Sequence, residues 1–298
     1  MQKVKKNYIF THGNPSEAKH VSKLGHSLAI LDVGHGNCAV LIDTNGVVVI
    51  DTGPGSSLLE YLTERSVKIV DVILISHADQ DHIGGLVQLL ASKVFCIKRV
   101  LLNTDSEKDT AVWDDLLYEL NRANNANELQ FEISLTHNRS GEFDQGAVNI
   151  EILGPSKYLA GKGPGSKDKK GRKITTNSIS AVIRLSKDKN PIALLPGDLD
   201  EVGLTDLIGS GVNLNAPLVV FPHHGGRAGS TNMAEFARKL CTQVSPKWLF
   251  SQTVVVSMEH LTPRLLRRFD SERHLSGLHA RSCPSIAQNR FPPLYLHI

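Results

Sequence analysis

Four side chains of the types that bind divalent metal ions fall within one short stretch of the chain. They are His77, Asp79, Asp81 and His82. Imidazole and carboxylate groups together satisfy a divalent ion, whereas one His and one Asp would fit a helix cap beside a solvated ring. Two of each, followed by a glycine pair at 84–85 that lets backbones come close, do not fit that simpler interpretation. The stretch therefore predicts half of a two-metal hydrolytic site.

The ligand stretch lies between a predicted strand and a predicted helix. The apolar run at 72–75 is short and rich in β-branched residues, which is typical of a strand buried on both faces. Apolar residues then recur at helical spacing over 83–90. Asp81 falls near the start of this helix, where a carboxylate suits the unpaired N–H groups and the helix dipole. Two rigid elements are thus expected to fix the ligand turn.

This motif resembles that of a known family. The pattern His77-x-Asp79-x-Asp81-His82 is similar to the His-x-His-x-Asp-His signature of the metallo-β-lactamase fold, with Asp79 in place of the second His. Together with the following Ile-Gly-Gly at 83–85, that exchange resembles the hydrolase domain of ComEC-type DNA-uptake (competence) proteins. The resemblance implies an α/β fold of the αβ/βα sandwich type, in which two mixed sheets are flanked by helices.

Patterns of apolar residues predict the remaining framework. Short runs typical of strands alternate with stretches of helical spacing, which indicates a mixed α/β architecture. An Asn-Gly pair at 45–46 between two apolar runs predicts a tight hairpin. The strands are predicted at 28–33, 38–42, 47–50, 99–102, 130–135, 148–153, 179–185, 192–195, 218–221 and 254–257, and the helices at 58–65, 111–121, 232–240 and 265–269.

The resemblance extends to the N-terminal strands. Residues 31–37 are similar to the family's Asp-Val-Gly-Gln-Gly-Asp segment, with His35 and Asn37 in place of Gln and Asp, and residues 50–53 are similar to its Asp-Thr-Gly. Asp51 is either a turn-forming carboxylate or a group that orients a metal-bound His, and both interpretations stay open.

A second carboxylate follows the apolar strand at 192–195. A lone Gly-Asp is usually a turn, but Asp198 in this order and spacing resembles the family's Gly-Asp-Leu, which implies that it bridges two metals. Asp200 is expected to cap the following helix. The Thr-Asn-Ser at 176–178 lies close to the metals in the family pattern, which makes Asn177 a candidate for supporting the ligands.

Three further histidines are candidates for the site. His223 and His224 resemble the family's His-His-Gly-Ser, and adjacent side chains on an extended segment point opposite ways, so at most one readily enters the same site. Which of them is the ligand and which the support stays open. His260, near the position of the family's Gly-His-Pro, is the candidate for the final ligand.

The resemblance implies a division of labour among these residues. His77 and Asp79 would hold one metal, Asp81 and His82 the other, and Asp198 would bridge them. Asp81 and His224 are the expected catalytic residues, with His224 protonating the leaving oxygen. We expect two divalent ions, Mn²⁺ or Zn²⁺ with Mg²⁺ as a further option, because Asp79 enriches its subsite in oxygen.

Residues 161–173 are rich in lysine and glycine and contain a single acid, Asp168. Such a segment predicts a mobile loop, because it cannot bury itself. It is either a solvated surface or a contact to a phosphate backbone beside the active site. We favour the phosphate contact. The residues expected to bind nucleic acid are Lys167, Lys169, Lys170, Arg172 and Lys173.

Composition limits the remaining possibilities. With 298 residues, 41% of them hydrophobic, the chain can bury a large core, and its net charge of +3 does not by itself indicate a nucleic-acid partner. The four widely spaced cysteines give neither a zinc knuckle nor a disulfide framework. No apolar run suggests a signal peptide or a membrane span, so a cytoplasmic protein without a membrane partner is expected. We predict an extension at 1–26, a hydrolase domain at 27–270 and a tail at 271–298 that packs on or extends the domain.

The expected function is metal-dependent hydrolysis of DNA, with single strands favoured. One alternative is a metallo-hydrolase of a small molecule such as a lactone, a thioester or a cyclic nucleotide, since fold does not fix function. Another is a catalytically quiet subunit that binds nucleic acid, which the altered His35, Asn37 and Glu259 would allow. A homo-oligomer or a partner protein is compatible with either outcome.

Overall fold

The computed structural model describes residues 10–12, 26–225, 233–251, 254–257 and 294–297. Within these ranges two mixed β-sheets pack face to face, and helices cover their outer faces. The predicted αβ/βα sandwich is therefore confirmed. No helix in the described ranges is long and apolar enough to cross a membrane.

The larger sheet contains eight strands, of which β4 to β7 run parallel to one another. In spatial order they are β1 (Phe10–His12), β14 (Leu294–His297), β2 (Ser27–Ile30), β3 (Cys38–Ile42), β4 (Val47–Thr52), β5 (Ile69–Leu74), β6 (Cys96–Leu101) and β7 (Gln130–Glu132).

The smaller sheet contains six strands, of which β10, β11 and β12 are parallel. In spatial order they are β13 (Val254–Ser257), β12 (Trp248–Ser251), β11 (Leu218–Val220), β10 (Asn190–Leu195), β9 (Val182–Lys187) and β8 (Val148–Gly154). The helices are α1 (Ser57–Glu64), α2 (Gln80–Ser92), α3 (Ala111–Asn125), α4 (Lys157–Lys162), α5 (Glu201–Gly209) and α6 (Met233–Val244), with short 3₁₀ turns at His137–Arg139, Asn177–Ile179 and Pro222–Gly225.

Alternation along the strands produces the layers. In β4, Val47 and Val49 face the helices, whereas Val48 and Ile50 face the other sheet. Strand β5 is likewise covered on both faces, as its continuous apolar run predicts. Each such side chain contributes about 1.5–3 kcal/mol when fully buried, so the strands that carry the site rest on a well-packed core.

The predicted site residues collect where strands of both sheets end. Asp51 is near the carboxyl end of β4 and His77 follows β5, and these strands are parallel. Asp198 follows β10 and His223 follows β11, which are also parallel. Carboxyl ends of parallel strands form one edge of a sheet, which is where ligands of open α/β sheets bind.

Several element boundaries differ from the sequence prediction. The strand predicted from 179 begins only at Val182, because Asn177–Ile179 forms a 3₁₀ turn. Helix α3 continues to Asn125, beyond its predicted end at 121. Strands β1, β12 and β14 were not predicted, and β14 joins the larger sheet between β1 and β2. The helix predicted at 265–269 lies outside the described residues.

Candidate metal centre

Three buried groups converge where the two sheets meet. His77 follows β5, His82 lies in the first turn of α2, and Asp198 follows β10. Their ligand atoms all lie within 4.8 Å of one another. The two imidazole rings are 4.0 Å apart between centroids, and Nε2 of His82 is 3.4 Å from Oδ1 of Asp198. Imidazole and carboxylate donors in this arrangement suit a divalent ion.

The other two carboxylates of the ligand stretch each lie beside one imidazole. Oδ2 of Asp79 is 3.4 Å from Nε2 of His77, and Oδ2 of Asp81 is 3.9 Å from Nε2 of His82. Both carboxylates are partly exposed, whereas the two rings are buried. The cluster therefore has a buried side made of the two imidazoles and Asp198, and an open side made of Asp79 and Asp81.

Asp198 lies between two histidines. Its Oδ1 faces His82, and its Oδ2 is 3.5 Å from Nδ1 of His223. The backbone N–H of His223 also donates to Oδ1 of Asp198, at 3.2 Å. The expectation of an extended segment here is wrong, because Pro222–Gly225 is a 3₁₀ turn in which His223 has a φ of +54°. The side chain of His224 and the whole of His260 lie outside the described part of the structure.

Asp51 lies in β4, beside the rings of the cluster, and not in a turn. Its carboxylate is buried and accepts hydrogen bonds from the Ser76 backbone N–H at 2.7 Å, from Ser76 Oγ at 2.8 Å and from His82 Nδ1 at 2.9 Å. Ser76 Oγ is also 3.0 Å from Nδ1 of His77. Nδ1 of each ring lies within hydrogen-bond distance of these oxygens, which leaves Nε2 facing the cluster, and Nε2 is the atom that would bind a metal once it carries no proton.

Ser76 and Ser180 were missed as supporting residues. Ser76 directly precedes the first histidine, and a small polar residue at the end of a buried strand is the only signal for it in the sequence. Ser180 Oγ accepts the backbone N–H of Asp198 at 3.1 Å. The structure assigns Asn177 no hydrogen bond to the cluster, and its buried Oδ1 has no hydrogen-bond partner among the described residues. In the segment where Asn177 was expected to support the ligands, Ser180 makes the contact.

The charges of the cluster fit a bound cation. Burial opposes ionisation of Asp198, but its hydrogen bond with His82 and the charges of the nearby histidines hold its pKa well below the ordinary value. Burial likewise opposes protonation of His82, but Asp51 and Asp198 outweigh it and raise the pKa of that imidazole. In the metal-free chain, the buried carboxylates thus favour protonation of His82, and a divalent ion would supply positive charge there instead.

Two glycines let the ligand turn sit directly on its neighbours. The N–H of Gly85 donates to the carbonyl of Gly53 at 2.7 Å, and a Cβ at Gly85 would overlap the carbonyl oxygen of Thr52. Gly36 has a φ of +128°, and a Cβ there would overlap the carbonyl oxygen of Asp81. The close backbone approach predicted for the glycine pair is therefore confirmed at Gly85.

Lys108 reaches the cluster from a loop that the sequence does not mark. Its Nζ contacts Oδ1 of Asp79, and its side chain is 22% exposed. The loop is fixed by Asp105, whose carboxylate accepts the backbone N–H of Glu107 at 3.1 Å. Burial opposes ionisation of Asp79, but His77 and Lys108 outweigh it and lower the pKa of that carboxyl well below its ordinary value. A cation thus lies at the open side of the site.

Residues 165–174 form what we call the basic turn. The mobile loop predicted here instead has an internal framework, because Gly165 and Ile174 hydrogen-bond across it and the Asp168 carboxylate accepts the backbone N–H groups of Lys170 and Arg172 at 2.8 Å. The single acid of the segment therefore organises it.

The five basic residues predicted to bind nucleic acid differ in their contacts. Arg172 pairs with Asp168 at 2.7 Å, and Lys173 pairs with Glu107 at 3.2 Å. The remaining three are exposed and make no ion pair with any residue that the structure describes. They are Lys167, Lys169 and Lys170.

Comparison with known proteins places the chain in a family. Residues 31–240 match the family model of the metallo-beta-lactamase superfamily. A hydroxyacylglutathione hydrolase of Saccharophagus degradans is 40% identical over 48 residues, which is 16% of this chain and 17% of that protein. One of Shewanella loihica is 40% identical over 50 residues, or 17% of this chain and 19% of that protein. The chain thus matches less than a fifth of the length of these relatives.

Solved structures with similar folds are distant in sequence. A metallo hydrolase from the archaeon Ignicoccus hospitalis has a TM-score of 0.48 and 13% identity, with 90% of this chain and 98% of that chain covered. The short form of human tRNase Z has a TM-score of 0.41 and 12% identity, with 78% of this chain and 99% of that chain covered. Because the family model spans most of the chain, the protein belongs to the metallo-β-lactamase superfamily.

Proposed function

We propose that this protein is a metal-dependent hydrolase, and that it is a phosphodiesterase that cleaves DNA, with single strands as the favoured substrate. The observation that carries the proposal is the connection between the metal cluster and the basic turn. Asp79 of the cluster contacts Lys108, and the neighbouring Glu107 contacts Lys173 of the basic turn at 3.2 Å. A phosphate held at the cluster would therefore lie close to further cations, as a polyanionic strand requires.

The proposed cofactors are two divalent ions, Mn²⁺ or Zn²⁺ with Mg²⁺ as a further option. His77 with Asp79 and His82 with Asp81 form two imidazole and carboxylate pairs, and Asp198 has one oxygen toward His82 and the other toward His223. Ions bound there would activate water and stabilise the charge that develops at phosphorus. His224 as the proton donor and His260 as a further ligand stay predictions of the family resemblance, as does the likeness to ComEC-type proteins.

Lys108 has a role in this proposal that the sequence did not suggest. Its ammonium lies at the open, carboxylate side of the cluster, where a substrate phosphate must approach. A fixed cation beside the reacting phosphate stabilises the negative charge that develops in the transition state more than it stabilises the ground state. Lys167, Lys169 and Lys170 would hold the strand by contacts that are independent of base sequence.

The test is cleavage of end-labelled single-stranded and double-stranded DNA with Mn²⁺, Mg²⁺ or Zn²⁺. We compare the wild type with Asp81→Ala and Asp198→Ala, and we use Asp115→Ala, which removes an exposed carboxylate of α3, as the matched control. Cleavage that both site variants abolish and the control retains supports the proposal. Absence of cleavage by wild-type protein that contains bound metal would overturn it.

A small-molecule hydrolase is the second candidate, favoured by the local match to hydroxyacylglutathione hydrolases. The two candidates differ in their use of the basic turn. Replacing Lys167, Lys169 and Lys170 by Met should weaken DNA cleavage in a salt-dependent manner if DNA is the substrate. Hydrolysis of a lactone or thioester that is unaffected by these changes and by salt, without DNA cleavage, would favour the second candidate.

A further inference from the structure

A surface groove separates the basic turn from helix α5. It encloses about 440 Å³. The side chains that matter for its chemistry are Tyr158 of α4, Lys169, Lys170 and Arg172 of the basic turn, and Thr205 and Asp206 of α5. We propose that this groove, which lies outside the metal cluster, binds a nucleotide of a single strand, with the base against Tyr158 and the backbone phosphates against Lys169 and Lys170. The inference rests on the proposed function, because it extends the path of the same DNA substrate.

Tyr158 provides the surface for a base. Its side chain is 37% exposed although a tyrosine ring is largely apolar, and it stands on a helix that is anchored by the buried Leu159. Nζ of Lys169 lies 5.3 Å from the centroid of the ring, within the range of a cation–π interaction. An aromatic ring with an adjacent cation is the arrangement on which proteins stack bases of single strands, because every base has a flat face.

The charges of the groove fit a nucleotide better than an isolated anion. Arg172 is held by Asp168 at 2.7 Å and by Thr205 Oγ1 at 3.3 Å, so it forms part of the wall. Asp168 and Asp206 also line the groove, and two carboxylates disfavour a small anion inside it. Lys169 and Lys170 are exposed on the same turn. In a nucleotide, the neutral base would lie in the groove beside the carboxylates, and the phosphates would contact the two lysines.

Helix α5 connects the groove to the metal cluster. Asp200, two residues after Asp198, caps the helix by accepting the N–H of Gly203 at 2.9 Å. The groove runs along the later residues of this helix, which is about 13 Å long from its rise per residue. On its other side, the basic turn contacts Glu107, next to Lys108 and Asp79. A strand of several nucleotides can therefore occupy both places at once.

The first experiment measures binding without cleavage. Fluorescence anisotropy in EDTA follows a labelled single strand of about 20 nucleotides, which is longer than the usual site of one binding groove. Tyr158→Ala should weaken binding by about 5- to 150-fold, and Tyr158→Phe should restore most of it because the ring remains. Tyr118→Ala, which removes a tyrosine of α3 that is 69% exposed, is the matched control and should bind as the wild type does. Equal binding by Tyr158→Ala and the wild type, or no binding by the wild type, would overturn the inference.

The second experiment separates the groove from the metal centre. Bis(p-nitrophenyl) phosphate is a small phosphodiester that occupies only the metal centre, so the holoenzyme variant Tyr158→Ala should hydrolyse it as the wild type does while KM for the long strand rises. Hydrolysis of both substrates that is insensitive to Tyr158 would leave the phosphodiesterase standing and refute the groove. Binding that depends on Tyr158, with neither substrate hydrolysed, would refute the phosphodiesterase and leave the groove standing.

Discussion

Replacement of Asp51 by Asn tests how the rings of the metal centre are oriented. One oxygen of the Asp51 carboxylate accepts the backbone N–H of Ser76, and the other accepts Ser76 Oγ and His82 Nδ1. In Asp51→Asn the amide oxygen can keep the first contact, which leaves the NH₂ group facing His82 Nδ1. Two donors then face each other, so in the neutral ring the single proton moves from Nδ1 to Nε2. That atom faces Asp198 and would no longer accept a metal.

The expected cost follows from the contacts that are lost. Removing the hydrogen-bond partner of a metal-bound histidine lowers metal affinity by about 10- to 100-fold, or about 1.4–2.7 kcal/mol. The lost hydrogen bonds involve a buried charged group, so the metal-free fold should also lose about 1.5–3 kcal/mol of unfolding free energy. Asp51 has a φ of +54°, which Asn tolerates as Asp does, so backbone strain adds little to the difference.

The assay is calorimetric titration of Mn²⁺ and Zn²⁺ into metal-free protein, with thermal unfolding in EDTA as the second measurement. Asp43→Asn is the matched control, because Asp43 holds Nδ1 of His26 at 2.7 Å and the N–H of Val148 at 2.9 Å at the opposite end of the β3–β4 hairpin. The control should lose stability and keep its metal affinity. Wild-type metal affinity in Asp51→Asn would refute the assigned role of Asp51.

Other predictions follow from the same contacts. The folded pKa of His82 is raised, so its stabilisation of the metal-free protein is full below the unfolded value of about 6.5 and is lost as pH rises through the folded pKa. Urea midpoints should therefore fall as the pH rises above about 6.5, and His82→Gln should flatten the trend. Gly85→Ala should cost about 1–3 kcal/mol in thermal unfolding through overpacking, whereas Gly55→Ala, which faces open space, should be near neutral. Lys108→Met should lower phosphodiester kcat/KM by about 100-fold at unchanged metal content measured by mass spectrometry. The control is Lys98→Met, which removes a lysine of β6 that pairs with Asp71, and an equal effect of that variant would contradict a local role of Lys108.

The parts of the site that sequence alone predicts are those whose signal is local. The ligand stretch at 77–82, the strand before it and the helix after it form one continuous pattern, and the structure places all of its ligand candidates at one cluster. The cap of α5 by Asp200 is equally local, since the carboxylate and the N–H that it accepts are three residues apart. Such features depend on residues that are close in the sequence, so they can be predicted without knowing how the remaining chain folds.

The residues that sequence alone missed depend on contacts distant in the chain. Lys108 meets Asp79 only because a loop after β6 folds over the start of α2. The 3₁₀ turn at Asn177–Ile179 delays β9 because Ser178 Oγ donates to Asp200 at 2.6 Å and draws this segment toward α5. Secondary-structure propensity does not predict either contact, because both depend on how distant segments of the chain pack together.

The metal centre is also a junction between the two sheets. Asp51 lies in β4 and His77 follows β5 of the larger sheet, whereas Asp198 and His223 follow strands of the smaller one. Besides the cluster, the N–H of Ala181 donates to the carbonyl of Ser76 at 2.9 Å and joins the sheets beside it. The carboxylates that a divalent ion would neutralise at this place come from both layers. The ion would therefore balance their charge and also join the two sheets. Asp51 and Asp198 raise the pKa of His82, so metal binding should depend on pH, because the ring must lose its proton before it can act as a ligand.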